Sequence, residues 1–358
     1  MDSAFKRNLA PRTAPFSLCY LTSTVTAKRK GVQGLNENSD QIDKGCTAGQ
    51  AGLDMQTSKR IEAALERALR HCDSPATPPG LRAALRHAVF PGGARLRPTL
   101  CLSVAAACDA TTDPLAQADV AAAIELLHCA SLVHDDLPCF DDAALRRGRP
   151  SVHVSHGEEL ALLAGDGLIV LAFEVVASAR LSPVLVPRLV RCIARGVGAG
   201  GGLVAGQAWE SERSVGLRTY HKAKTGALFE AGARAGALLA GADPRLADSW
   251  GEFGARLGEA YQVADDLRDT LDDEASLGKP VGQDMVHDRP NACMTLGIDG
   301  ALERLRALLD QALEAMPNCH RPEQVSEWVE GFGARLYPRA VRVLQPSANG
   351  TAVVDLRA

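Results

Sequence analysis

The chain has 358 residues, of which 46% are hydrophobic, 23% charged and only 4% aromatic. Its 43 acidic residues outnumber its 39 basic ones, for a net charge of −4. That balance excludes a nucleic-acid binder acting through bulk positive charge, and the composition excludes a disordered or collagen-like chain.

Abundant Ala and Leu with few aromatics favour helix over strand. No window reads as a membrane span. The most apolar stretch, Leu160 to Ala177, contains Asp166 and Glu174 and reads as a buried helix. The ten cysteines are scattered, with no C-x-x-C pair and no secretory signal. They read as reduced thiols of a cytoplasmic protein, with Cys101 and Cys129 as small core residues.

Residues 1–54 differ from the rest. Residues 1–34 carry six basic residues and one acid, Asp2, and 31–54 are polar and Gly-rich. A transit peptide has this make-up. The other reading is an unstructured extension, with the working protein beginning near Met55, and the lack of a clear amphipathic targeting helix favours it. From Ser58, Ile61, Leu65 and Leu69 repeat every four residues behind Thr57 and Ser58 as caps. Pro78–Gly80 opens a second helix with Leu81, Leu85 and Val89, and Pro91-Gly92-Gly93 ends it. Asp113-Pro114 pairs an N-cap with a proline at N1, and the helix it starts runs through Ile124, Leu127 and Val133 to Asp135. Helical stretches follow at 158–180, 184–195, 218–240, 245–275 and 300–315, with no convincing strand. The pattern predicts one all-α domain over 55–345, a helical bundle around a central cavity, with a flexible tail at 346–358. The glycines at 196–201 fit G-x-G-x-x-G, but they follow a helical pattern and read as a helix end rather than a nucleotide fingerprint.

The strongest chemical signal is a pair of aspartate clusters. Asp135-Asp136 is followed by Asp141-Asp142, and Asp265-Asp266 by Asp269, Asp272 and Asp273. Each lies at or near the end of an apolar helix pattern, where the macrodipole disfavours carboxylates. Asp265 and Asp269, at i and i+4, share one face and repel. Such crowding points to an attracting cation, and oxygen donors without His or Cys point to Mg²⁺. A lone cluster of this kind is as easily a solvated acidic face. Two of them, each trailed by basic residues, argue otherwise. Arg146, Arg147 and Arg149 follow the first cluster, Lys279 follows the second, Arg95 and Arg97 follow Gly92-Gly93, and Lys222 and Lys224 precede Thr225-Gly226. This pattern suggests two diphosphates, one bridged by metal and one held by Arg, Lys and His.

Six motifs in this order resemble the trans-isoprenyl diphosphate synthases of the polyprenyl synthetase family, nearest to the bacterial geranylgeranyl type. They are Gly-Gly-Ala-Arg-Leu-Arg-Pro (92–98), His-Asp-Asp-Leu-Pro-Cys-Phe-Asp-Asp (134–142) with Leu-Arg-Arg-Gly-Arg-Pro (145–150), Leu-Ala-Gly-Asp (163–166), Lys-Thr-Gly (224–226), Tyr-Gln-Val-Ala-Asp-Asp-Leu-Arg-Asp (261–269) and Leu-Gly-Lys (277–279). The resemblance covers about Met55 to Leu313 and implies an all-α homodimer with a deep cavity in each subunit. It implies Mg²⁺ on Asp135, Asp141 and Asp265, supported by Asp136 and Asp269. Arg146, Lys224 and Lys279 would hold the allylic diphosphate. Arg97, His128 and Arg147 would hold isopentenyl diphosphate, with Arg95 as a further substrate contact, and Thr225 and Gln262 would face the reacting carbons. By itself His128 reads as a core histidine, but its place seven residues before Asp135 favours a ligand role.

Two departures stand out. Ala94 sits where the family usually has lysine, so Arg95 or Arg97 would have to compensate. Arg289, in His287-Asp288-Arg289-Pro290-Asn291, sits where a second Gly-Lys-Thr-like element is common. The implied reaction is a Mg²⁺-assisted ionisation, condensation and elimination joining isopentenyl diphosphate to dimethylallyl, geranyl or farnesyl diphosphate. In the family the residue five before the first Asp can floor the tail pocket. Here it is Ala130, beside Ser131, which leaves room for a C20 product, geranylgeranyl diphosphate, over C15 farnesyl diphosphate. A carotenoid or other C20-derived pathway fits the resemblance. The alternatives are a farnesyl diphosphate synthase, a type I terpene cyclase, disfavoured by the second Asp cluster and the few aromatics, and a non-catalytic subunit of a heteromer, which Ala94 keeps open.

Overall fold

A computed structural model describes residues 48–212, 214–272 and 289–338 of the chain. Thirteen α-helices are assigned among them. α1 (Ala48–Leu69) begins N-terminal of Met55 and is followed by α2 (Pro79–Val89) and α3 (Leu96–Ala107). α4 (Pro114–Asp135) starts as expected: the Asp113 carboxylate accepts from Leu115 N at 3.0 Å and Pro114 takes N1. A two-residue-per-strand hairpin follows, β1 (Leu145–Arg146) against β2 (Arg149–Pro150). Arg147 and Gly148 have positive φ of 55° and 72° at its turn, the geometry of the primed turns that suit hairpins. It is too short to leave an alternating pattern, which is why the sequence reads as strand-free.

Next come α5 (Val152–His156), α6 (Glu158–Ser178) and α7 (Leu185–Val197). The glycine run then ends a helix, as its context predicted, and α8 (Leu203–Ala208) begins beyond it. The 218–240 stretch is not one regular helix. It divides into α9 (Leu217–His221), a π-helical turn at Lys222–Gly226 and α10 (Ala227–Leu239). Such widened turns are common at functional sites. α11 (Pro244–Leu271) is capped by Asp243, which accepts from Arg245 N and Leu246 N at 2.8 and 3.0 Å. α12 (Ala292–Glu314) is capped by Asn291 and interrupted at Gly297, where φ is 72°. α13 (Pro322–Leu336) closes the described fold and was not foreseen.

α10 lies at the centre, packed on α3, α4, α7 and α11. Eleven of its 13 residues are buried, mostly Ala, Gly and Leu, so neighbouring backbones come very close. A Cβ on Gly236 would sit 2.4 Å from the Cys101 carbonyl oxygen of α3. Gly254 and Gly258 of α11 pass equally close to Phe229 and Gly226. α4 and α6 are both long and apolar enough to cross a bilayer by length and composition. In α4 83% of the apolar window is buried inside the protein, whereas in α6 it is 44%. The cysteines at 101, 129 and 192 are buried, and burial pushes the thiol of Cys129 up to about 12. Residues 1–47, the tail from 346, Asp273 and Lys279 lie outside the described residues.

Because the α3–α10 contact has no free space, Gly236→Val is expected to destabilise the chain by about 1–3 kcal/mol through overpacking. A urea titration with an unchanged slope and a lower midpoint would record this.

Candidate active site

The last turn of α4 and the loop after it carry the first acidic cluster. Asp135 is buried, and its Oδ1 accepts from Gln207 Nε2 at 2.8 Å. Burial lifts its carboxyl to about 6, nearby Lys224 opposes that rise, and Glu210 and Asp141 reinforce it. Asp136 is buried deeper and is gripped by Arg146, whose Nε donates to Oδ1 at 2.9 Å. Arg146 is thus tied to the first cluster itself. Asp141 is paired with Arg289, and Asp142 is exposed.

On α11 the second cluster divides by helical phase. Asp266 points inward and is 1% exposed. It accepts from Gln262 Nε2 at 3.0 Å and from Ala292 N at 2.7 Å, and it lies 3.2 Å from His221 Nε2. This carboxylate anchors the start of α12. Asp265 and Asp269 are half-buried on another face of the same helix, four residues apart as expected.

The two clusters are bound into one site by a short segment. Arg289 pairs with Asp141 of the first cluster, and Ala292 donates to Asp266 of the second. Three residues of chain reach at most about 11 Å, so the clusters are held within one small region. Arg289 also lies 3.1 Å from Glu210 Oε2. Glu210 in turn pairs with Lys224 and accepts from Tyr220 Oη at 2.6 Å. Burial works against the charge on Lys224, but Tyr220, Glu210 and Asp135 together hold its ammonium well above its ordinary range. The π-turn places Thr225 beside it. Thr225 Oγ1 donates to Gln262 Oε1 at 2.5 Å, which connects Lys224 to the Gln262–Asp266 pair. Gly206 makes this meeting possible, since a Cβ there would sit 2.3 Å from Lys224 N.

A second group of cations makes no ion pair with these acids among the described residues. Arg97 is buried with its guanidinium 4.7 Å above the Phe229 ring and 5.8 Å from the Tyr261 ring, and its Nε has no hydrogen-bond partner. Burial lowers its pKa, and neighbouring Arg147 lowers it further. Among the described residues Arg147 has no recorded ion pair; its Nε would lie 2.9 Å from a Cβ on Gly93. His128 is held well below 6.5 by burial and by Arg97, Arg147, Arg146 and Arg95. An unpaired, mutually repelling set of this kind suits an anion.

Arg95 departs from its expected role. Its side chain is 4% exposed, and Nε and Nη1 donate to Glu62 and Glu125 at 2.8 and 2.9 Å while Nη2 donates to the Val89 carbonyl at 2.8 Å. With its donors occupied inside the protein, it has none left for a phosphate. Gln207, Glu210, Tyr220 and His221 are site residues that the sequence reading passed over. The spacing of Gln207 and Glu210, i and i+3 just beyond the glycine run, was the available sign.

The residues at 130–134 divide by face. Ser131 is buried on the Asp135 side of α4, and Gln207 Nε2 lies 3.2 Å from its carbonyl. Ala130, 1% exposed, is four residues before His134, whose Nε2 lies 3.4 Å from the Leu162 carbonyl of α6. Ala130 therefore lies on the stripe toward α6. An open groove of about 910 Å³ between α7, α8, α9 and α10 is lined by Lys222 and Ala223, not by the acidic clusters.

The chain belongs to the Polyprenyl synthetase family, whose profile matches residues 78–330. Among curated relatives, a geranylgeranyl diphosphate synthase of Cereibacter sphaeroides is 49% identical over 80% of this chain and 99% of its own length. Another of that name from Rhodobacter capsulatus is 47% identical over 79% of this chain and 96% of its own. A solved geranyltransferase of Helicobacter pylori, complexed with magnesium and isoprenyl diphosphate, superposes with a TM-score of 0.70 at 28% identity, covering 80% of this chain and 98% of that one.

The depressed His128 gives a pH prediction. The unfolded chain takes up a proton near pH 6.5 that the native state refuses, so His128 costs stability as pH falls below that value. Between about pH 8 and pH 5 the wild type should lose more melting temperature than His128→Gln, and parallel thermal melts measure the difference.

Proposed function

We propose that this chain is a prenyltransferase that condenses isopentenyl diphosphate with allylic diphosphates to make geranylgeranyl diphosphate, working as a cytoplasmic homodimer with Mg²⁺. The observation that carries the reading is the separation of two anion sites. One surrounds Lys224 and Arg289 with carboxylates from two helices. The other collects Arg97, Arg147 and His128, which make no ion pair among the described residues, near the buried Glu125. The first suits a metal-bridged allylic diphosphate, the second the diphosphate of isopentenyl diphosphate.

The donors present fit Mg²⁺. They are all carboxylate oxygens, and cationic side chains already lie against two of them. Among the described residues no three ligating side chains converge as a closed metal cage. Asp135, Asp141 and Asp265 would hold it, with Asp269 supporting. Asp136 supports indirectly by fixing Arg146. When bound, Mg²⁺ supplies positive charge where the leaving diphosphate gathers negative charge.

Lys224, Arg146 and Arg289 bind the same leaving group. Lys279, outside the described residues, joins them by family resemblance. The C–O bond of the allylic substrate breaks, and its electron pair leaves with the diphosphate. Thr225 and Gln262, locked to each other, face the allylic carbons as fixed dipoles. Arg97, Arg147 and His128 hold isopentenyl diphosphate so that its double bond reaches the cation, and the displaced diphosphate takes the proton that is then lost. Apolar helix walls keep water from the cation.

The tail would run along α4 toward α6. Ala130 leaves space there that a ring would close, since one helical turn spans about 5 Å, close to one isoprene unit. This favours C20 over C15. α6 carries exposed Leu162, Leu163 and Val170, an apolar stripe suited to a second copy of the chain. Intact acidic clusters favour an enzyme over a non-catalytic subunit. A C20-consuming pathway, such as carotenoid formation, is the natural outlet.

The experiment is incubation of the purified chain with Mg²⁺, isopentenyl diphosphate and each allylic primer, followed by chromatography of the products. C20 product is expected, and no turnover by the chain alone would instead support a subunit role. Asp135→Asn should fold normally and lose about 10²-fold or more in kcat, as expected when charge stabilisation in the transition state is removed. Ala130→Tyr should retain turnover and shift the main product to C15, whereas unchanged C20 would remove Ala130 as the determinant.

A further inference from the structure

We propose that Glu125, assisted by Glu62, is the positioning residue of the second diphosphate site, acting through Arg95 to fix where Arg97, Arg147 and His128 stand. The proposal rests on the assignment of that site to isopentenyl diphosphate made above.

Arg95 adopts a left-handed backbone, φ 48° and ψ 39°, at the N-cap of α3. A non-glycine residue holds that conformation only when its surroundings over-determine it. Here they do. The guanidinium is clamped between Glu62 of α1 and Glu125 of α4 and also reaches back to the Val89 carbonyl at the end of α2. It fills the space beside Gly92, where a Cβ would lie 2.1 Å from Arg95 Cζ. Thr99 Oγ1 donates to the Arg95 carbonyl at 2.7 Å and secures the first turn of α3.

Each cation of the second site is attached to this clamp. Arg97 is two residues beyond Arg95 on the same first turn. Arg147 packs over Gly93, one residue beyond the glycine that covers the Arg95 side chain. His128 is one turn beyond Glu125 on α4, and Glu125 itself is 1% exposed. A single buried carboxylate thus ties together the three pieces of backbone that carry the anion-binding groups. Its Oε1 takes Nη1 of Arg95, while its Oε2 has no partner and leaves negative charge beneath the cluster. That charge also favours the charged form of Arg97 against the opposing field of Arg147.

The clamp matters more here because Ala94 is exposed and brings no cation. With one positive group fewer than the family pattern, affinity for the diphosphate must come from holding the remaining groups still.

The test is steady-state kinetics on Glu125→Gln and Glu62→Gln, with Arg147→Gln as reference. Glu62 is part-exposed, at 38% of its side chain, so its variant leaves no buried orphan and should fold even if Glu125→Gln does not. Both are expected to raise KM for isopentenyl diphosphate, by about tenfold for Glu125→Gln, the effect of trading one charge-assisted hydrogen bond for a neutral one. KM for the allylic substrate and kcat should change by less than about twofold, since the carboxylate–Lys224 site is untouched. Equal shifts in both KM values, a fall in kcat alone, or a lower melting temperature with unchanged kinetics would overturn the proposal and leave Glu125 a structural residue. If Arg147→Gln shifts the isopentenyl KM and the glutamate variants do not, the positioning role alone fails. If Arg147→Gln leaves that KM unchanged, the diphosphate assignment fails and the proposal falls with it.

Discussion

Carboxylates crowd the C-terminal ends of two apolar helices, where the helix dipole already disfavours them, and much of the surrounding structure makes that tolerable. Arg146 takes Asp136, Arg289 takes Asp141 and Glu210, and Lys224 sits between Glu210 and Asp135. The balance is incomplete, since burial and neighbouring acids still lift Asp135 to about 6. In the proposed reading, acids brought this close and only partly neutralised gain from a divalent cation that also holds a phosphate. The helix packing serves the same end. Gly206 lets α8 touch the π-turn, and Gly254 and Gly258 let α11 lie against α10, so that residues from four elements reach one another.

The second anion site follows the opposite logic. Its cations make no ion pair among the described residues, and in the proposed reading they take a diphosphate without metal. Its self-repulsion is kept from scattering it by Arg95, an arginine turned inward and neutralised by Glu62 and Glu125. Two arginines two residues apart thus have opposite duties. In the proposed reading Arg97 presents charge to the diphosphate, while Arg95, buried and paired with Glu62 and Glu125, holds the backbone that presents it.

Much of this was legible in the sequence. An aspartate cap and a proline placed the start of α4, and helical periodicity pointed to the all-α fold. The pairing of acidic with basic motifs pointed to the site and its family. What stayed hidden depends on side-chain direction. Nothing in Asp265-Asp266 says which one faces inward; the phase of α11 decides, and Asp266 becomes the anchor of α12. Arg95 and Arg97 are alike as letters, and only the left-handed turn at Arg95 separates them. Gln207 lies near the end of short α8 and Glu210 in the 3-10 turn after it, segments too brief for a clear periodicity. The hairpin at 145–150 was too brief to alternate, and the π-turn at 222–226 has no pattern of its own.

The most direct measurement is calorimetric titration of the purified chain with inorganic diphosphate, with and without Mg²⁺. One Mg²⁺-independent site and one site that appears only with Mg²⁺ are expected per chain, the latter lost in Asp135→Asn. Binding that ignores Mg²⁺ altogether, or a Mg²⁺-dependent site that survives the loss of Asp135, would contradict the account.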